Sequence, residues 1–306
     1  MKVLLAVDGS DYTKRMLAYL AAHRDLLGKE PEITVYHGLM ALPHHAASVV
    51  GPAQVRAYQE SELEKVFTKP ELLLRSEHSL CPGCGEPVAL RIILELIADL
   101  GVRERTICVA GIGCYTAFPP VMDVDVMQAL HGRAPSVATG VKRVRPDAIV
   151  FTMQGDGDMI SEGLQEVLHA AARGERVTAI VLNNAVFGET GGHMTAATVL
   201  GQHTKTTVGG RDRERHGSPI RIAELVAQLD GTAYVARAAV HTAASVNLTK
   251  EYLRSALQSQ LDGKGFSLVE ILTMCPTDWF VAPDQGPAFL ERHLLPTYPL
   301  GVIKGG

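Results

Sequence analysis

Two short segments concentrate the oxygen donors that a hard cation and a phosphate require: Gln154-Gly155-Asp156-Gly157-Asp158 and Asn183-Asn184-Ala185-Val186. Each follows an apolar run that reads as a strand covered on both faces, residues 148–153 and 177–182. Loop glycines let backbone N–H groups close on a pyrophosphate where a helix begins. Mg²⁺ takes about six oxygen ligands, commonly one or two carboxylates with substrate phosphates. A carboxylate from the first loop, with an amide and a backbone carbonyl from the second, would supply the protein's share. Either segment alone is also an ordinary turn or helix cap. The informative feature is the pair, each member after a buried strand and one helix apart.

Sulfur forms a second set. Cys81-Pro82-Gly83-Cys84 brings two thiols within reach of one metal centre around a tight Pro-Gly turn, which is half a site. Cys114, in Gly111-Ile112-Gly113-Cys114, and Cys275, before Pro276, each follow a strand and could face the same crevice. Four thiolates suit an iron–sulfur cluster and tetrahedral zinc equally, and spacing does not choose between them. The fifth cysteine, Cys108, lies inside an apolar run and reads as a small buried hydrophobe.

The elements that must position these residues are legible as alternating apolar strands and amphipathic helices from residue 78 onward, the pattern of a doubly wound α/β sheet, mostly parallel. Strands are expected at 106–112, 148–153, 177–182 and 266–272, and helices at 87–100, 162–172, 220–229 and 246–261. Before them, apolar runs at 2–7 and 32–37 read as strands. A helical stripe at 16–27 and a polar helix at 54–67 complete a small β-α-β-α module. Thr68-Lys69-Pro70 breaks the pattern, giving expected domains of 1–67 and 68–306. The chain of 306 residues carries a formal charge of −4, which offers no field for nucleic acid or an anionic membrane. No apolar run approaches the ~20 residues of a membrane span, and the five apolar residues after Lys2 are too few for a signal peptide. A cytoplasmic protein is expected, and there a close cysteine pair reads as a metal or redox site rather than a disulfide.

Gly155-Asp156-Gly157, then 25 residues, then Asn183-Asn184, resembles the thiamine-diphosphate fingerprint. With residues 78–87, 111–114, 131–135, 155–158, 183–194 and Cys275-Pro276-Thr277-Asp278-Trp279, in that order, the region from about 70 to 306 is similar to the β subunits of 2-oxoacid:ferredoxin oxidoreductases. Phrasing around Gly191-Gly192-His193-Met194 and Pro299-Leu300-Gly301-Val302 is nearest the branched-chain members. The resemblance implies thiamine diphosphate, Mg²⁺ held by Asp156, Asn184 and the Val186 carbonyl, and a [4Fe–4S] cluster on Cys81, Cys84, Cys114 and Cys275. Gly155, Gly157, Asp158, Thr190, Gly191 and His131 would border the cofactor. The implied reaction is oxidative decarboxylation of a branched-chain or pyruvate-like 2-oxoacid to its coenzyme A thioester, with electrons leaving through the cluster to ferredoxin. The implied partner is an α subunit, with γ and δ subunits as further candidates. That α chain would bring the glutamate that activates the cofactor.

Local candidates for that glutamate are Glu86 and Glu189. Glu86 reads first as an acid at a helix N-terminus. Glu189 stands where the family carries an apolar residue beside the substrate, and a carboxylate there would either repel the anionic tail of 2-oxoglutarate or turn to solvent. Arg133 and His193 are looser candidates for the diphosphate and the substrate, His44-His45 reads as a solvated loop, and Trp279 as a core or interface anchor. Residues 1–67 resemble the first half of a universal stress protein, with Asp8-Gly9-Ser10 at the start of that family's nucleotide pocket but without its later phosphate loop. Three further readings stand beside the main one: a non-oxidative thiamine-dependent decarboxylase, a nucleotide-binding stress protein carrying a passenger domain, and a thiamine enzyme with structural zinc.

Overall fold

The computed structural model describes residues 69–75 and 78–305, together with the backbone of Lys2–Val7 and Glu32–His37. The chain divides into two compact units, Met1–Thr68 and Lys69–Gly306. In the first, β1 (Lys2–Val7) and β2 (Glu32–His37) pair in parallel, Lys2 opposite Glu32 through Val7 opposite His37. The expected helices at 16–27 and 54–67, the Asp8-Gly9-Ser10 turn and His44-His45 lie outside the described residues.

The second unit opens with α1 (Glu86–Asp99), which follows the Cys81–Cys84 turn directly. Pro87 in its first turn and Gly101 just past its end, at φ +63°, set its limits. Leu90, Ile93, Leu94 and Ile97 make its buried face. Then follow β3 (Thr106–Ala110), β4 (Asp125–Gln128), α2 (Ala134–Val144), β5 (Ile149–Gly155), α3 (Leu164–Ala172) and β6 (Thr178–Asn183). The chain closes with α4 (Ile222–Ala227), β7 (Thr232–Ala239), α5 (Ala243–Leu261), β8 (Phe266–Leu272) and β9 (Gly301–Lys304). The sheet order is β4-β3-β5-β6-β8-β7-β9, parallel except for β9. Every residue of β6 and β8 is buried, as strands covered on both faces must be.

Several bounds differ from expectation for identifiable reasons. The helix expected from residue 162 is preceded by a wide π-helical turn, Gly157–Glu162, and starts at Leu164. Here two backbones touch: a Cβ on Gly132 would stand 2.7 Å from the Glu162 carbonyl carbon, and one on Gly163 would stand 2.4 Å from the Gly132 oxygen. That close approach seats the His131 loop beside the end of β5. Helix α5 begins three residues early because the Thr242 hydroxyl accepts the Ser245 N–H at 3.1 Å, an N-cap. Strand β3 ends at Ala110 rather than 112. Among the described residues, no helix is long and apolar enough to cross a membrane.

Helix α1 sets the height of the Cys81–Cys84 turn, and its apolar face holds it there. Leu94 is fully buried, so Leu94→Ala should cost about 2–5 kcal/mol in denaturant unfolding; a loss under ~1 kcal/mol would show that α1 is not packed as described.

Candidate active site

Because β3, β5, β6 and β8 are adjacent and parallel, their C-terminal ends share one rim, and each releases one of the segments singled out above. Asp156 follows β5 directly and is almost fully buried, at 1 % exposure. Its Oδ1 accepts the Asn184 N–H at 3.3 Å, and its Oδ2 accepts the Thr195 hydroxyl at 2.6 Å. Burial pushes this carboxyl up to about 7, against the pull of those two hydrogen bonds. A carboxylate in that setting calls for a cation beside it.

The loop after β6 is shaped to leave one carbonyl free. Asn183 Oδ1 accepts the Ala185 N–H at 2.9 Å and holds Ala185 in the left-handed region, φ +61°. Asn184 Oδ1 accepts the Val186 N–H at 3.2 Å and keeps a second lone pair. The Trp279 indole N–H donates to the Asn184 carbonyl at 2.9 Å, and Thr198 and Gln202 donate to the Ala185 carbonyl at 2.7 and 3.2 Å. No hydrogen bond to the Val186 carbonyl is present among the described residues. Carboxylate, amide oxygen and free carbonyl thus form a donor set that fits Mg²⁺.

These residues line one cavity, together with Glu86, Cys114, Tyr115, His131, Gly155, Gly157, Asp158, Phe187, Gly188, Glu189 and Thr190. The two glycines of the first loop differ. A Cβ on Gly157 would enter the Phe187 ring at 2.3 Å, so packing demands that glycine, whereas one on Gly155 would make only ordinary contacts, the nearest at 3.5 Å. The backbone at Gly155 is thus not closed off by a side chain. Asp158 is taken up by protein: Oδ2 accepts Tyr115 and Gln154, each at 2.8 Å, and Oδ1 accepts the Gly132 N–H at 2.6 Å. It braces the rim. His131 Nδ1 lies 2.7 Å from the same Oδ1, though not aligned as a hydrogen bond. Arg133 pairs with Glu166 instead of reaching the cavity.

Three of the four cysteines gather near the same rim. The Gly85 N–H donates to the Met274 carbonyl at 3.0 Å, tying the Cys81–Cys84 turn to the segment that carries Cys275. Cys275 Sγ lies 3.4 Å from Asp278 Oδ2. A Cβ on Gly188 would stand 3.2 Å from Cys114 Sγ, 3.5 Å from Asp278 Oδ2 and 3.8 Å from Asn184 Nδ2, so sulfur, acid and amide meet at one point. Burial pushes the Cys84 thiol up to about 12, with Glu86 and Cys81 adding to it. Burial likewise raises Cys114 and Cys275, and the nearby Cys84 contributes to both. Cys81 is exposed, while Cys108 is sealed inside β3. Among the described residues, no three His, Cys, Asp or Glu side chains are close enough to hold a single metal ion.

Glu86 is more than a helix-terminal acid. It is 2 % exposed, lines the cavity, and its Oε2 has no hydrogen-bond partner. Burial first, then Asp156 and Glu189, push its carboxyl up to about 8. Glu189 is exposed at the cavity mouth. Beside it, Thr190 Oγ1 lies 3.2 Å from His193 Nδ1, and Gly191 turns at φ +91°, a conformation that favours glycine. Sequence reasoning missed Thr195 and Tyr115, which hold Asp156 and Asp158; neither belongs to a motif, so only their contacts reveal them.

Comparison with known proteins agrees with this geometry. The family described as "Thiamine pyrophosphate enzyme, C-terminal TPP binding domain" matches residues 111–271. The chain is 36 % identical over 238 residues to ketoisovalerate oxidoreductase subunit VorA of Methanothermobacter marburgensis, covering 78 % of this chain and 50 % of that protein. It is 34 % identical over 214 residues to 2-oxoglutarate synthase subunit KorB of Archaeoglobus fulgidus, covering 70 % and 74 %. A solved 2-oxoglutarate:ferredoxin oxidoreductase from Magnetococcus marinus, with 2-oxoglutarate, coenzyme A and succinyl-CoA bound, superposes with a TM-score of 0.61 at 30 % identity over 69 % of each chain. The chain spans about half the length of its VorA relatives. It belongs to the thiamine pyrophosphate enzymes through their C-terminal cofactor-binding domain, and within them to the β subunits of 2-oxoacid:ferredoxin oxidoreductases.

Proposed function

We propose that this chain is the thiamine-binding subunit of an enzyme that oxidatively decarboxylates a 2-oxoacid to an acyl-coenzyme A and passes the electrons to ferredoxin. The observation that carries the reading is the meeting of Cys114, Asp278 and Asn184 around Gly188, with Asp156 accepting the Asn184 N–H, on one sheet rim. Asp156, Asn184 and the Val186 carbonyl would hold Mg²⁺, with the diphosphate over Gly155. Cys81, Cys84, Cys114 and Cys275 would hold a [4Fe–4S] cluster. When bound, thiamine diphosphate supplies the carbanion chemistry. The chain's own residues place it: Phe187 closes the floor against Gly157, and Trp279, Thr198 and Gln202 fix the loop carbonyls that must not ligate. An α subunit is required to complete the site, with γ and δ subunits as further components. The assembly is placed in the cytoplasm, where reducing conditions keep thiols available to iron.

Glu189 narrows the substrate. An acid at the cavity mouth disfavours 2-oxoacids whose tail ends in a carboxylate, so branched-chain or pyruvate-like substrates are favoured over 2-oxoglutarate.

In the anaerobically isolated complex, Asp156→Ala should abolish Mg²⁺-dependent retention of thiamine diphosphate while iron content stays near that of the parent. Cys114→Ser should do the reverse; loss of both groups in either variant would contradict separate sites on one rim. In the same complex, Glu189→Leu should raise kcat/KM for 2-oxoglutarate by about fivefold to tenfold relative to 2-oxoisovalerate. An unchanged ratio would remove Glu189 from the substrate.

A further inference from the structure

Behind the rim runs a buried chain of charged groups that the cofactor motifs do not include. Asn183 Nδ2 donates to Glu270 Oε1 at 2.6 Å, and Glu270 Oε2 accepts from Arg237 Nε at 2.8 Å. The remaining guanidinium donors reach Glu224, at 3.1 and 2.5 Å, and the Pro299 carbonyl, at 3.1 Å. Arg237 and Glu270 face each other across β7 and β8, and both are 0 % exposed. The guanidinium also lies 5.3 Å over the Tyr298 ring, whose hydroxyl donates to the Ala197 carbonyl at 2.5 Å.

The two ends of this chain land on the two turns that shape the cation site. Asn183 controls Ala185, and Ala197 sits between Thr195, which holds Asp156, and Thr198, which holds the Ala185 carbonyl. Stability is a weak reason for such a pair, because well-packed apolar groups in place of a buried ion pair commonly leave a protein as stable or more so. Orientation is a better one. The Asn183 amide is nearly symmetric in shape, and either end could face Ala185. The Glu270 carboxylate accepts from the Arg237 guanidinium through one oxygen and from Asn183 through the other, so it admits Nδ2 on its side and turns Oδ1 toward the Ala185 N–H.

We infer that Arg237 and Glu270 are positioning residues for the 184–186 loop: they fix the Asn183 amide, and through it the carbonyl and amide offered to the cofactor's metal. The inference rests on the cofactor reading of that loop and adds a device outside the motifs to it. Its prediction is that cofactor affinity and fold stability separate.

The test is calorimetric titration of thiamine diphosphate with Mg²⁺ into the cofactor-stripped complex containing the full chain, beside its thermal melting. Arg237→Met/Glu270→Met removes both fully buried charges together, leaving the part-exposed Glu224 beside Arg221 at 3.8 Å. It should melt near the parent and bind about tenfold or more weakly, the size of one lost charge-assisted hydrogen bond. Glu270→Gln, which keeps volume but must turn an N–H toward one of its two donors, should weaken binding similarly and carries the comparison if the double variant does not fold. A folded variant that melts lower yet binds as tightly as the parent would overturn the inference and leave the cofactor reading intact. A parent that shows no Mg²⁺-dependent binding would overturn both.

Discussion

Parallel pairing of β3, β5, β6 and β8 puts four C-terminal strand ends side by side, and the rest of the site depends on that constraint. Parallel strands need long crossovers, so residues far apart in the chain are returned to one rim. Cys114, Asp156, Asn184 and Cys275 each follow one of these four strands, and the Cys81–Cys84 turn is bound to the last of them through the Gly85 N–H. A ligand crevice at the C-terminal strand ends is the general rule for such sheets. Here the same rim collects hard oxygen donors on β5 and β6 and soft sulfur on the flanking β3 and β8, so two centres of different chemistry can share it.

The rim is acidic and buried, which is costly without cations. Burial raises the carboxyls of Asp156 and Glu86 and the thiols of Cys84, Cys114 and Cys275. A divalent ion at Asp156 and iron at the thiols would reverse that preference. The hydrogen bonding differs between the two acids: Asp158 accepts three protein donors and Asp156 two, and among the described residues no hydrogen bond reaches the Val186 carbonyl.

The sequence displays the site well because its loops carry unusual residue types at strand ends. Gly155 to Asp158, Asn183-Asn184, Cys84, Cys114 and Cys275 stand out against apolar neighbours, and they gather near one rim. The supporting parts are less visible. Strand β7 is hidden in the sequence because Arg237 interrupts an alanine-rich run; the cross-strand Glu270, with Glu224 and the Pro299 carbonyl, makes a buried arginine there tolerable. Helix α2 is hidden by Pro135 and Gly140, and edge strands β4 and β9 have four residues each, with too little burial to show a pattern. Glu86 was read from its place at a helix start, whereas its burial beside Asp156 follows from tertiary packing that no local pattern records.

The proposed convergence of a divalent-ion site and an iron–sulfur cluster is open to a direct magnetic measurement. With Mn²⁺ in place of Mg²⁺ in the anaerobic complex, a paramagnetic ion at Asp156 should speed the spin relaxation of the reduced cluster proposed for Cys114 and its partners, and only when thiamine diphosphate is present. A cluster signal whose relaxation is the same with Mn²⁺ and Mg²⁺ would place the two centres far apart and contradict the shared rim.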